Sequence, residues 1–583
     1  MPVLTFRNAA VASLFLSVVA GAQTVTQGQL IVRPTTSFPA TATAATLTGP
    51  GIARSKPHFN LKAALRNAVK GASASTPLVN PDPTPQHIFG AEGDFFGFPG
   101  ATHFDSAHAS NGDQFSVEPP DQGLAVGNGF VFEAVNEVVI VFNKAGARLA
   151  GAGLNAFFGL PPAIIPGTTP VYGPTVGDPR AYYDQQLQRW FVTAYEQDVD
   201  SSTGAFLNQT RVLLAVSTTA NPLGTYYQYA LNTINDGTGG TPSHPGCPCF
   251  PDQPLNGADA YGFYISTNEF PNSGPGFNGA QVYATSKQML ASGTPGIVVL
   301  FSSMPLAEGL SYSIQPARSL TFPNTGTEYF LSALDFNGTL DNRIAIWAMT
   351  NTSTLASASP KVLLVKTVLN SETYGTVLVG GVQPTGPRPL GTSLGEPEET
   401  LNPDDDRMEQ VVHANGELWA GLNTVIGGNP GGSQLRNGIA YFVVKPVWSV
   451  ANGLPTLSGV IDAQGYVAGS GLDSVMYPSI GVSPNGDAAM AFTLTGPAIY
   501  PSMAFLRVGV GNGAGPIQVG GAGTGPEDGF SGYVAYGGNG VARWGDYSAA
   551  VGDTDGIWMA AEWIPNTPRT SLANWGTFIG RLP

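Results

Sequence analysis

Short apolar runs separated by Gly, Asn, Asp and Pro turns dominate the chain from about residue 115 onward. The segments Val138 to Phe142 and Trp190 to Ala194 are apolar runs of strand length, and each is flanked by a polar or glycine-containing turn. Runs of this length bounded by turn residues predict β-strands joined by hairpins. Residues 178 to 229 contain four such runs in succession. This part of the chain therefore predicts a four-stranded antiparallel sheet.

One pattern recurs along the chain: a polar start, a strand of small residues, a turn and a second apolar strand. Its clearest copy runs from Arg543 to Ala561. Six further copies are Asp121 to Ala134, Asp178 to Ala194, Asp252 to Ser266, Glu328 to Met349, Asp406 to Ala420 and Tyr477 to Phe492. A single sheet cannot bury both of its faces, so repeated sheets stack around an axis and closure protects their edges.

The repeats predict an all-β fold, a β-propeller of seven four-stranded blades that spans residues 115 to 583. The last apolar run, Asn574 to Leu582, either completes the seventh blade or pairs with the first to close the ring. Trp190, Trp347, Trp419 and Trp558 fall at similar positions in second or third strands, which favours packing between blades over sugar stacking.

The first 22 residues have the features of a secretory signal peptide. Arg7 is the charged region, Ala9 to Ala20 is a short apolar stretch, and Ala20-Gly21-Ala22 is a small-x-small cleavage site. We expect a secreted protein whose mature chain begins at Gln23. No later apolar run has the roughly 18 residues that a membrane-spanning helix needs, so no membrane span is predicted.

Residues 23 to 114 are rich in Ala, Thr, Pro and Ser and are predicted to be a mostly irregular, low-complexity leader. One short amphipathic helix is expected between Phe59 and Gly71, either docked on the main domain or part of a pro-segment. The cluster Phe95-Phe96-Gly97-Phe98 is too apolar for a free linker, so the ordered part is expected to begin near Gln86.

Composition and charge narrow the class of partner. The 75 glycines and 48 prolines disfavour long helices, while a hydrophobic content of 42% is sufficient for a large core. The net charge is −15, and it becomes −16 when residues 1 to 22 are removed, because they contain Arg7 and no acid. An anionic surface repels phosphate backbones and anionic lipids, so neither nucleic acid nor a membrane surface is an expected partner.

The only two cysteines, Cys247 and Cys249, flank Pro248 in a loop rich in Pro and Gly. In an exported protein they are expected to be oxidised, either to each other or to another chain. Free thiols are an alternative, and His244 with the two cysteines could hold a soft metal ion. A closed zinc site would need a fourth ligand, which the local sequence does not supply.

Two further groups have metal-ligating residue types. His103, Asp105 and His108 have a suitable spacing but lie in a Gly- and Ser-rich region, where solvated loop residues are the simpler interpretation. Asp404, Asp405 and Asp406 could attract calcium through oxygen ligands, yet adjacent carboxylates are usually found on a solvated loop. No metal site or resident cofactor is predicted, and calcium is the one candidate cation.

Several motifs resemble those of a largely uncharacterised group of exported bacterial proteins of sialidase-like propeller type. They are Pro119-Pro120-Asp121, Gly177-Asp178-Pro179, Ala215 to Thr218, Gly279 to Tyr283 and Arg543 to Ser548. The resemblance implies a propeller and export but carries no settled activity. Sialidases contain a Ser-x-Asp-x-Gly-x-x-Trp turn, and the segment Gly552 to Trp558 matches it only loosely. Sialidase chemistry is therefore in doubt.

The mouth of the propeller axis is where loops from many blades meet, and we expect the functional site there. The candidate catalytic residues are Asp121, Asp178, Asp252 and Asp546, as general acid or nucleophile, with Tyr547 as a hydroxyl partner. The candidate ligand-binding residues are Arg180, Tyr183, Arg407, Tyr477, Arg543 and Trp544.

The arginines admit two interpretations. Arg180, Arg407 and Arg543 each have a carboxylate nearby in the sequence, so they could form local ion pairs that tie blades together. Alternatively, the three guanidinium groups form a cationic pocket in an otherwise anionic protein, and an Arg fork matches a carboxylate or sulfate bidentately. The second interpretation predicts an acidic glycan as ligand.

Three functional classes fit these features. The sequence favours a secreted propeller that binds or acts on an extracellular glycan at the axis mouth, with glycoside hydrolase or lyase chemistry if it is an enzyme. The alternatives are a non-catalytic propeller that binds protein at the cell surface or in the extracellular space, and a structural one. Whether the protein is an enzyme is left open, because only analogy of fold places the glycan first.

Overall fold

A computed structural model describes residues 23–39, 52–54, 61–68, 78–319, 325–375, 379–451 and 454–583. The predicted signal peptide, residues 1–22, lies outside the described residues. The described chain is mostly β, as the alternating apolar and turn segments predict.

Seven groups of four antiparallel strands make up the molecule, and we number them sheets 1 to 7. Six of them use four consecutive long strands, whereas sheet 7 takes its fourth strand from the leader. The strands, from the first to the fourth of each group, are Gly123–Gly127, Phe130–Val135, Val138–Asn143 and Arg148–Gly153 (sheet 1); Thr175–Asp184, Arg189–Val199, Phe206–Ser217 and Thr225–Asn232 (sheet 2); Cys249–Ala258, Gly262–Pro271, Ala280–Ser286 and Ile297–Ser302 (sheet 3); Gln315–Ser319, Thr327–Ala333, Asp341–Thr350 and Leu363–Tyr374 (sheet 4); Val411–Ala414, Glu417–Ile426, Arg436–Ala451 and Leu454–Val467 (sheet 5); Ser474–Val482, Ala488–Gly496, Ile499–Gly509 and Ile517–Gly521 (sheet 6); and Ala549–Asp553, Gly556–Trp563, Gly576–Leu582 and Phe96–Thr102 (sheet 7).

The first strands of the sheets form the inner wall of the molecule. The first strand of each sheet contacts the first strand of the next, and the first strand of sheet 7 contacts that of sheet 1. The hydrophobic core lies between neighbouring sheets. Trp190 packs between sheets 1 and 2, Trp419 between sheets 5 and 6, and Trp558 between sheets 7 and 1. Trp347 lies in the core shared by sheets 3, 4 and 5, so the prediction that these tryptophans pack between sheets is confirmed.

The segment 23–114, predicted to be mostly irregular, contributes strands to four sheets. Thr24–Gln29 pairs antiparallel with the fourth strand of sheet 3, and Ile31–Ser37 pairs with that of sheet 2. Ile88–Gly90 adds a parallel strand to sheet 6. These short segments have weak apolar patterns, and they become strands because each completes the hydrogen bonds of an open sheet edge.

Phe96–Thr102 forms the outer strand of sheet 7 and pairs antiparallel with Gly576–Leu582. The final apolar run thus belongs to sheet 7, as one of the two alternatives predicted. The last long strand of the chain is thus hydrogen-bonded to a strand of the leader. The phenylalanine cluster is ordered as expected, but the expectation that order begins near Gln86 is wrong, because the strands Thr24–Gln29 and Ile31–Ser37 lie well before it.

The remaining elements are short. The α-helices are Leu61–Ala68, His103–His108, Leu154–Phe157, Lys287–Ala291 and Pro389–Leu394, and the 3₁₀ helices are Ala109–Gly112, Thr352–Ala356 and Val534–Tyr536. The minor strands are Ile164–Ile165, Val171–Tyr172, Thr400–Leu401, Gly513–Ala514 and Val541–Ala542. None of the helices in the described ranges is long and apolar enough to cross a membrane.

The predicted repeat was misplaced in sheet 4. The sequence predicts that this repeat begins at Glu328. In the structure, residues 327–333 form the second strand of sheet 4, and its first strand is Gln315–Ser319. The segment Ser313-Ile314-Gln315-Pro316-Ala317 has no acidic residue, whereas most of the other copies begin at Asp, so the sequence does not mark it as the start of a repeat. The first and second strands of sheet 4 pair antiparallel, with Gln315 opposite Leu331.

Candidate functional site

A ring of residues with left-handed backbone marks one end of the inner wall. Each sheet contributes one such residue at or before its first strand. They are Asp121 (φ 52°), Asp178 (φ 51°), Gln253 (φ 52°), Ser313 (φ 41°), Asp404 (φ 55°), Tyr477 (φ 60°) and Gly545 (φ 76°). In sheets 2, 3 and 6 the residue lies in a break of the strand register, as in a β-bulge. A left-handed conformation is rare for a bulky residue such as Tyr, and such positions concentrate where side chains are aimed at a site.

Three asparagines hold this ring together across neighbouring sheets. Asn136 of sheet 1 donates from Nδ2 to the Asp121 carboxylate at 2.7 Å and accepts the backbone N–H of Asp178 at 2.9 Å. Asn268 of sheet 3 accepts the N–H of Ser313 at 2.8 Å, and Asn423 of sheet 5 accepts that of Tyr477 at 2.7 Å. Each amide therefore satisfies a buried donor that the left-handed residue withdraws from its own sheet.

The predicted acids Asp121, Asp178 and Asp546 come together at this end of the axis. All three are buried, and one carboxylate oxygen from each lies within 4.8 Å of the others. Asp121 also accepts the Asp546 backbone N–H at 2.7 Å, and Asp178 accepts the Gln253 N–H at 3.3 Å. The charge of the cluster is therefore partly compensated by backbone dipoles. Calcium takes six to eight oxygen ligands, so a calcium site here would need backbone carbonyls or water in addition to these carboxylates.

Two of the predicted arginines form local ion pairs. Arg407 donates from Nε and Nη2 to the two carboxylate oxygens of Asp405, both at 2.8 Å. Its Nη2 also lies 3.1 Å from Asp404 Oδ2. Arg543 donates to Asp546 at 2.6 Å. The predicted pair is confirmed for Arg543 with Asp546, whereas Arg407 pairs with Asp405 and Asp404 rather than with the adjacent Asp406. Arg407 also donates to Gln253 of sheet 3 at 2.9 Å, so it links sheets across the axis.

Asp405 and Asp406 are buried and Asp404 is partly buried, contrary to the expectation of a solvated loop. Its charges are matched by Arg407 and by Lys62 of the leader helix, which is ion-paired to Asp406. Lys62 also donates to the Tyr312 hydroxyl at 3.0 Å and to the Asp335 carbonyl at 2.8 Å. The helix predicted in the leader thus docks on the main domain, through this lysine and through buried leucines.

Arg180 differs from the other two arginines. Its side chain is 1% exposed, and its guanidinium carbon lies 3.3 Å from the centre of the Tyr547 ring. Nε, Nη1 and Nη2 have no hydrogen-bond partner among the described residues. Burial lowers the pKa of Arg180. A guanidinium keeps its charge even so, and therefore attracts any hydrogen-bond acceptor that can reach it.

A second buried arginine, Arg318 of sheet 4, lies close to Arg180. Asn256 joins them, because it accepts from Arg318 Nη2 at 2.9 Å and donates to the Arg180 backbone carbonyl at 3.4 Å. Burial and the neighbouring charge of Arg180 lower the pKa of Arg318 to about 9. Its Nε also has no partner within the described part of the chain.

Close approach of the inner strands makes this arrangement possible. Gly123 lies on sheet 1 between Arg180 and Tyr547, which come from sheets 2 and 7. A Cβ at Gly123 would lie 2.7 Å from the Pro179 carbonyl oxygen, which accepts the Tyr547 hydroxyl at 3.1 Å. Only glycine at position 123 therefore allows the first strand of sheet 1 to approach the backbone of residues 179–181 this closely.

Arg318 lines a small cavity of about 40 Å³ on the axis. Its walls come from the first strands of sheets 1, 2, 4, 5 and 7, and they combine apolar side chains with the polar groups of Tyr182, Tyr183 and Ser319. Tyr183, a predicted ligand-binding residue, is thus separate from the ring of acids and belongs to this cavity. Burial raises its pKa, and its ring packs on Trp190.

The other predicted site residues lie around the ring. Asp252 precedes the left-handed Gln253 and is near enough to Arg407 to interact with its charge. Tyr477 and Trp544 are both buried in one core cluster. The Tyr477 hydroxyl donates to the Asn402 carbonyl, and the Trp544 indole donates to Thr493 at 3.1 Å, so neither ring presents a free face.

The candidate metal ligands have other partners. His103 Nδ1 contacts the Thr570 hydroxyl at 2.8 Å, and His108 Nδ1 contacts the Phe104 carbonyl at 2.8 Å. Asp105 caps its own short helix at Thr102. Cys247 and Cys249 form a disulfide with each other, which confirms the oxidised interpretation.

Arg318, Asn256 and the three bridging asparagines were not identified from the sequence. The Asn signal was present, because Asn136, Asn268 and Asn423 lie two or three residues after the ends of the predicted copies at Ala134, Ser266 and Ala420. A polar amide at the end of an apolar strand suggests a buried partner. Arg318 had no such signal, because the first strand of sheet 4 was not located.

No protein-family model matches the sequence, and no curated protein matches it. Among solved structures, a Trypanosoma rangeli sialidase in complex with the inhibitor DANA is similar at 9% identity and a TM-score of 0.31, covering 80% of this chain and 58% of that one. A Hadza microbial sialidase is similar at 10% identity and a TM-score of 0.29, covering 78% and 73%. An α-L-arabinofuranosidase from Podospora anserina in complex with cellotriose is similar at 11% identity and a TM-score of 0.22, covering 57% and 91%. This chain thus spans a little more than half the length of the trypanosomal sialidase, and superpositions this weak carry no argument about activity.

Proposed function

We propose that this protein is a secreted, closed seven-bladed β-propeller that binds an acidic glycan in its axial channel. The observation that carries the proposal is the pair of buried arginines on the axis, Arg180 and Arg318. Their guanidinium groups offer N–H donors that have no acceptor among the described residues. Buried charged donors are expected to be satisfied, so an acceptor from outside the chain is expected there.

A carboxylate or sulfate fits these donors best. Both are planar or tetrahedral arrays of acceptor oxygens, and an Arg fork binds them bidentately. The anionic character of the chain as a whole, with a net charge of −15, makes two neighbouring buried cations unusual. Their mutual repulsion falls when an anion lies between them, which gives the ligand's negative group a specific place.

The lining of the cavity favours a sugar as the body of the ligand. The Tyr183 ring supplies an apolar surface, the Ser319 hydroxyl can donate or accept, and the Tyr182 hydroxyl, which donates to the Ser319 carbonyl at 3.4 Å, can accept. A carboxylate-bearing sugar combines the hydroxyls, the apolar ring face and the charge that these walls match.

Binding is favoured over catalysis by the state of the acids. Asp121, Asp178 and Asp546 accept backbone N–H groups or pair with Arg543, and these contacts join neighbouring sheets. A glycosidase needs a carboxyl pair that faces the scissile bond with room for water or sugar between. The same acids would serve as acid and nucleophile only if the ligand displaced their present partners.

Calorimetric titration with an oligosaccharide rich in uronic acid tests the proposal, with the carboxyl-reduced form of the same oligosaccharide as the matched ligand control. Binding is expected for the acidic form and at least a tenfold weaker affinity for the reduced form. Arg318→Gln is expected to lose about tenfold or more in affinity, because it removes a charge-assisted hydrogen bond. Arg507→Gln, on the third strand of sheet 6, is the matched control.

The same incubations are assayed for reducing and unsaturated ends. Binding without released ends supports a binding propeller, and released ends would replace it with an enzyme. Equal binding of the acidic and neutral forms, or unchanged affinity in Arg318→Gln, would show that the axial arginines are not a ligand site. Recovery of a secreted product that still carries Met1 would contradict export with cleavage after Ala22.

A further inference from the structure

The Cys247–Cys249 disulfide lies in the loop that enters sheet 3, outside the axial site. Cys249 is buried at the first position of the strand Cys249–Ala258, whereas Cys247 is only partly buried. The bond closes a ring between residues two apart in the sequence. A disulfide stabilises a fold mainly by closing a long loop of the unfolded chain, so this one contributes less to stability than most.

A polar cluster surrounds the two sulfur atoms. Glu269, from the second strand of sheet 3, has its Oε1 3.7 Å from Cys247 Sγ and 2.7 Å from His244 Nδ1. The Asn278 amide nitrogen lies 3.4 Å from Cys249 Sγ and 3.6 Å from Cys247 Sγ, and it also donates to Glu269 Oε1 and to the Pro245 carbonyl, both at 2.9 Å. Glu269 is buried, so its carboxylate is held in place by these contacts rather than by solvent.

These groups match the needs of a reversible thiol–disulfide reaction. A sulfur that leaves as a thiolate is stabilised by a hydrogen bond, and the Asn278 amide is positioned to give one to Cys249. A thiol that is to become nucleophilic must lose its proton to a base, and Glu269 Oε1 is placed to accept it from Cys247. His244, whose Nε2 has no partner among the described residues, can share that proton through Nδ1.

We propose that Cys247–Cys249 is a redox-active disulfide that exchanges with an external protein dithiol. One thiolate of the dithiol attacks the accessible Cys247 Sγ, the Cys247–Cys249 bond breaks, and Cys249 leaves as the thiolate beside Asn278. The second thiolate of the dithiol then attacks the partner's sulfur in the mixed disulfide, and Cys247 is released as a thiolate. Two electrons pass to the cysteine pair, the partner becomes a disulfide, and the two protons lost by the dithiol end on Cys247 and Cys249.

Glu269 and His244 are positioning residues with a defined effect in the reverse direction. In the reduced form the Cys247 thiol donates to Glu269, and loss of this proton starts reoxidation. The rate of reoxidation is therefore set by Cys247, and it depends on pH through the Glu269–His244 pair. This inference is independent of the axial ligand, because the cluster belongs to sheet 3 and its entering loop.

The chain has no other cysteine, so every free thiol that is detected comes from this pair. The folded protein is equilibrated in glutathione redox buffers, free thiols are trapped by alkylation and counted by mass spectrometry, and circular dichroism follows the fold. We expect both thiols to appear together in millimolar reduced glutathione while the fold is retained, and the disulfide to return on removal of the reductant. A disulfide that resists reduction until the protein unfolds would show that the bond is structural and overturn the proposal.

Two variants separate a positioning role from a structural one. Glu269→Gln is expected to slow reoxidation of the folded, reduced protein by about tenfold at neutral pH and to flatten its pH profile, with little change in the rate at high pH, where the thiol ionises without help. His244→Gln, at a less buried position, is expected to shift the same profile without changing the fold. Identical pH profiles in the wild type and His244→Gln, together with unchanged rates in any folded Glu269→Gln protein, would exclude the acid–base role.

Discussion

At the residue scale, several glutamates are buried in places where the neutral form is favoured. Burial raises the pKa of Glu133 to about 7, although the Thr577 hydroxyl at 2.6 Å and the Ala101 N–H at 2.7 Å both donate to its carboxylate. Burial raises the pKa of Glu372 to about 8. Burial together with the neighbouring Glu527 raises the pKa of Glu399. At these sites the free-energy cost of desolvating the carboxylate therefore exceeds the stabilisation that its hydrogen bonds provide.

The sign of the pH dependence follows from these directions. A carboxyl group whose pKa is higher in the folded state than in the unfolded state stabilises the fold when it is protonated. This contribution is complete below the unfolded value of about 4.5 and is lost as the pH rises through about 7 for Glu133. The shift corresponds to about 3 kcal/mol for that residue. Stability is expected to decline between pH 5 and pH 8.

Glu133→Gln tests this dependence. The variant cannot ionise, so the fall in the free energy of unfolding between pH 5 and pH 8 is expected to be smaller than in the wild type by up to about 3 kcal/mol. Urea titrations at several pH values measure it. Asp94→Asn, at an exposed position, is the control and is expected to leave the pH dependence unchanged. An identical pH dependence in the wild type and Glu133→Gln would mean that Glu133 is ionised throughout this range.

At the scale of the element, the connection between sheets depends on single amides at the ends of second strands. Asn136, Asn268 and Asn423 belong to sheets 1, 3 and 5, and each bonds the left-handed residue of the following sheet. Hydrophobic packing between sheets is not directional, so it alone would not fix how far one sheet slides along the next. The amides supply this register because their hydrogen bonds require one position.

Asn423→Ala removes one of these connections. The Tyr477 N–H and the Pro403 carbonyl lose their partners while they remain buried, so the expected loss is about 1 to 3 kcal/mol in the free energy of unfolding. Urea denaturation gives the difference. Asn208→Ala, on an exposed part of the third strand of sheet 2, is the matched control and is expected to change stability by less than about 0.5 kcal/mol. Equal losses in the two variants would contradict a connecting role for Asn423.

At the scale of the whole molecule, a strand could be predicted where its own apolar residues and flanking turns identify it. A strand that forms only because it pairs with a distant segment could not. The runs at Val138 to Phe142 and Trp190 to Ala194 lie inside observed strands, because apolar side chains bounded by turns identify a buried strand directly. The leader strand Ile31–Ser37 contains a proline and exposed residues, and it exists because sheet 2 has a free edge. The meeting of Asp121, Asp178 and Asp546 followed from the repeat register. The approach of Arg318 to Arg180 did not, since it requires the three-dimensional path of sheet 4.

The outer strand of sheet 7 comes from the leader. Mutating the core contacts of this strand therefore tests how sheets 7 and 1 are joined. Phe98 of the strand Phe96–Thr102 is 8% exposed and packs on Phe142 of sheet 1, with ring centroids 5.3 Å apart. The side chain thus joins sheet 7 to sheet 1, the two ends of the ring. Without it, the outer strand would keep its backbone hydrogen bonds to Gly576–Leu582 but lose its packing across the junction.

Phe98→Ala is therefore expected to lower the free energy of unfolding by about 3 to 5 kcal/mol, as for other buried aromatic truncations. Phe89→Ala is the matched control, because Phe89 lies in the parallel leader strand Ile88–Gly90 and is 56% exposed. We expect the control to change stability by less than about 0.5 kcal/mol. The measurement is the urea midpoint, together with limited proteolysis near residue 95. Faster cleavage there in Phe98→Ala alone would indicate that the closing strand detaches before the rest of the ring unfolds, whereas equal stability in both variants would mean that the packing of Phe98 does not hold the ring closed.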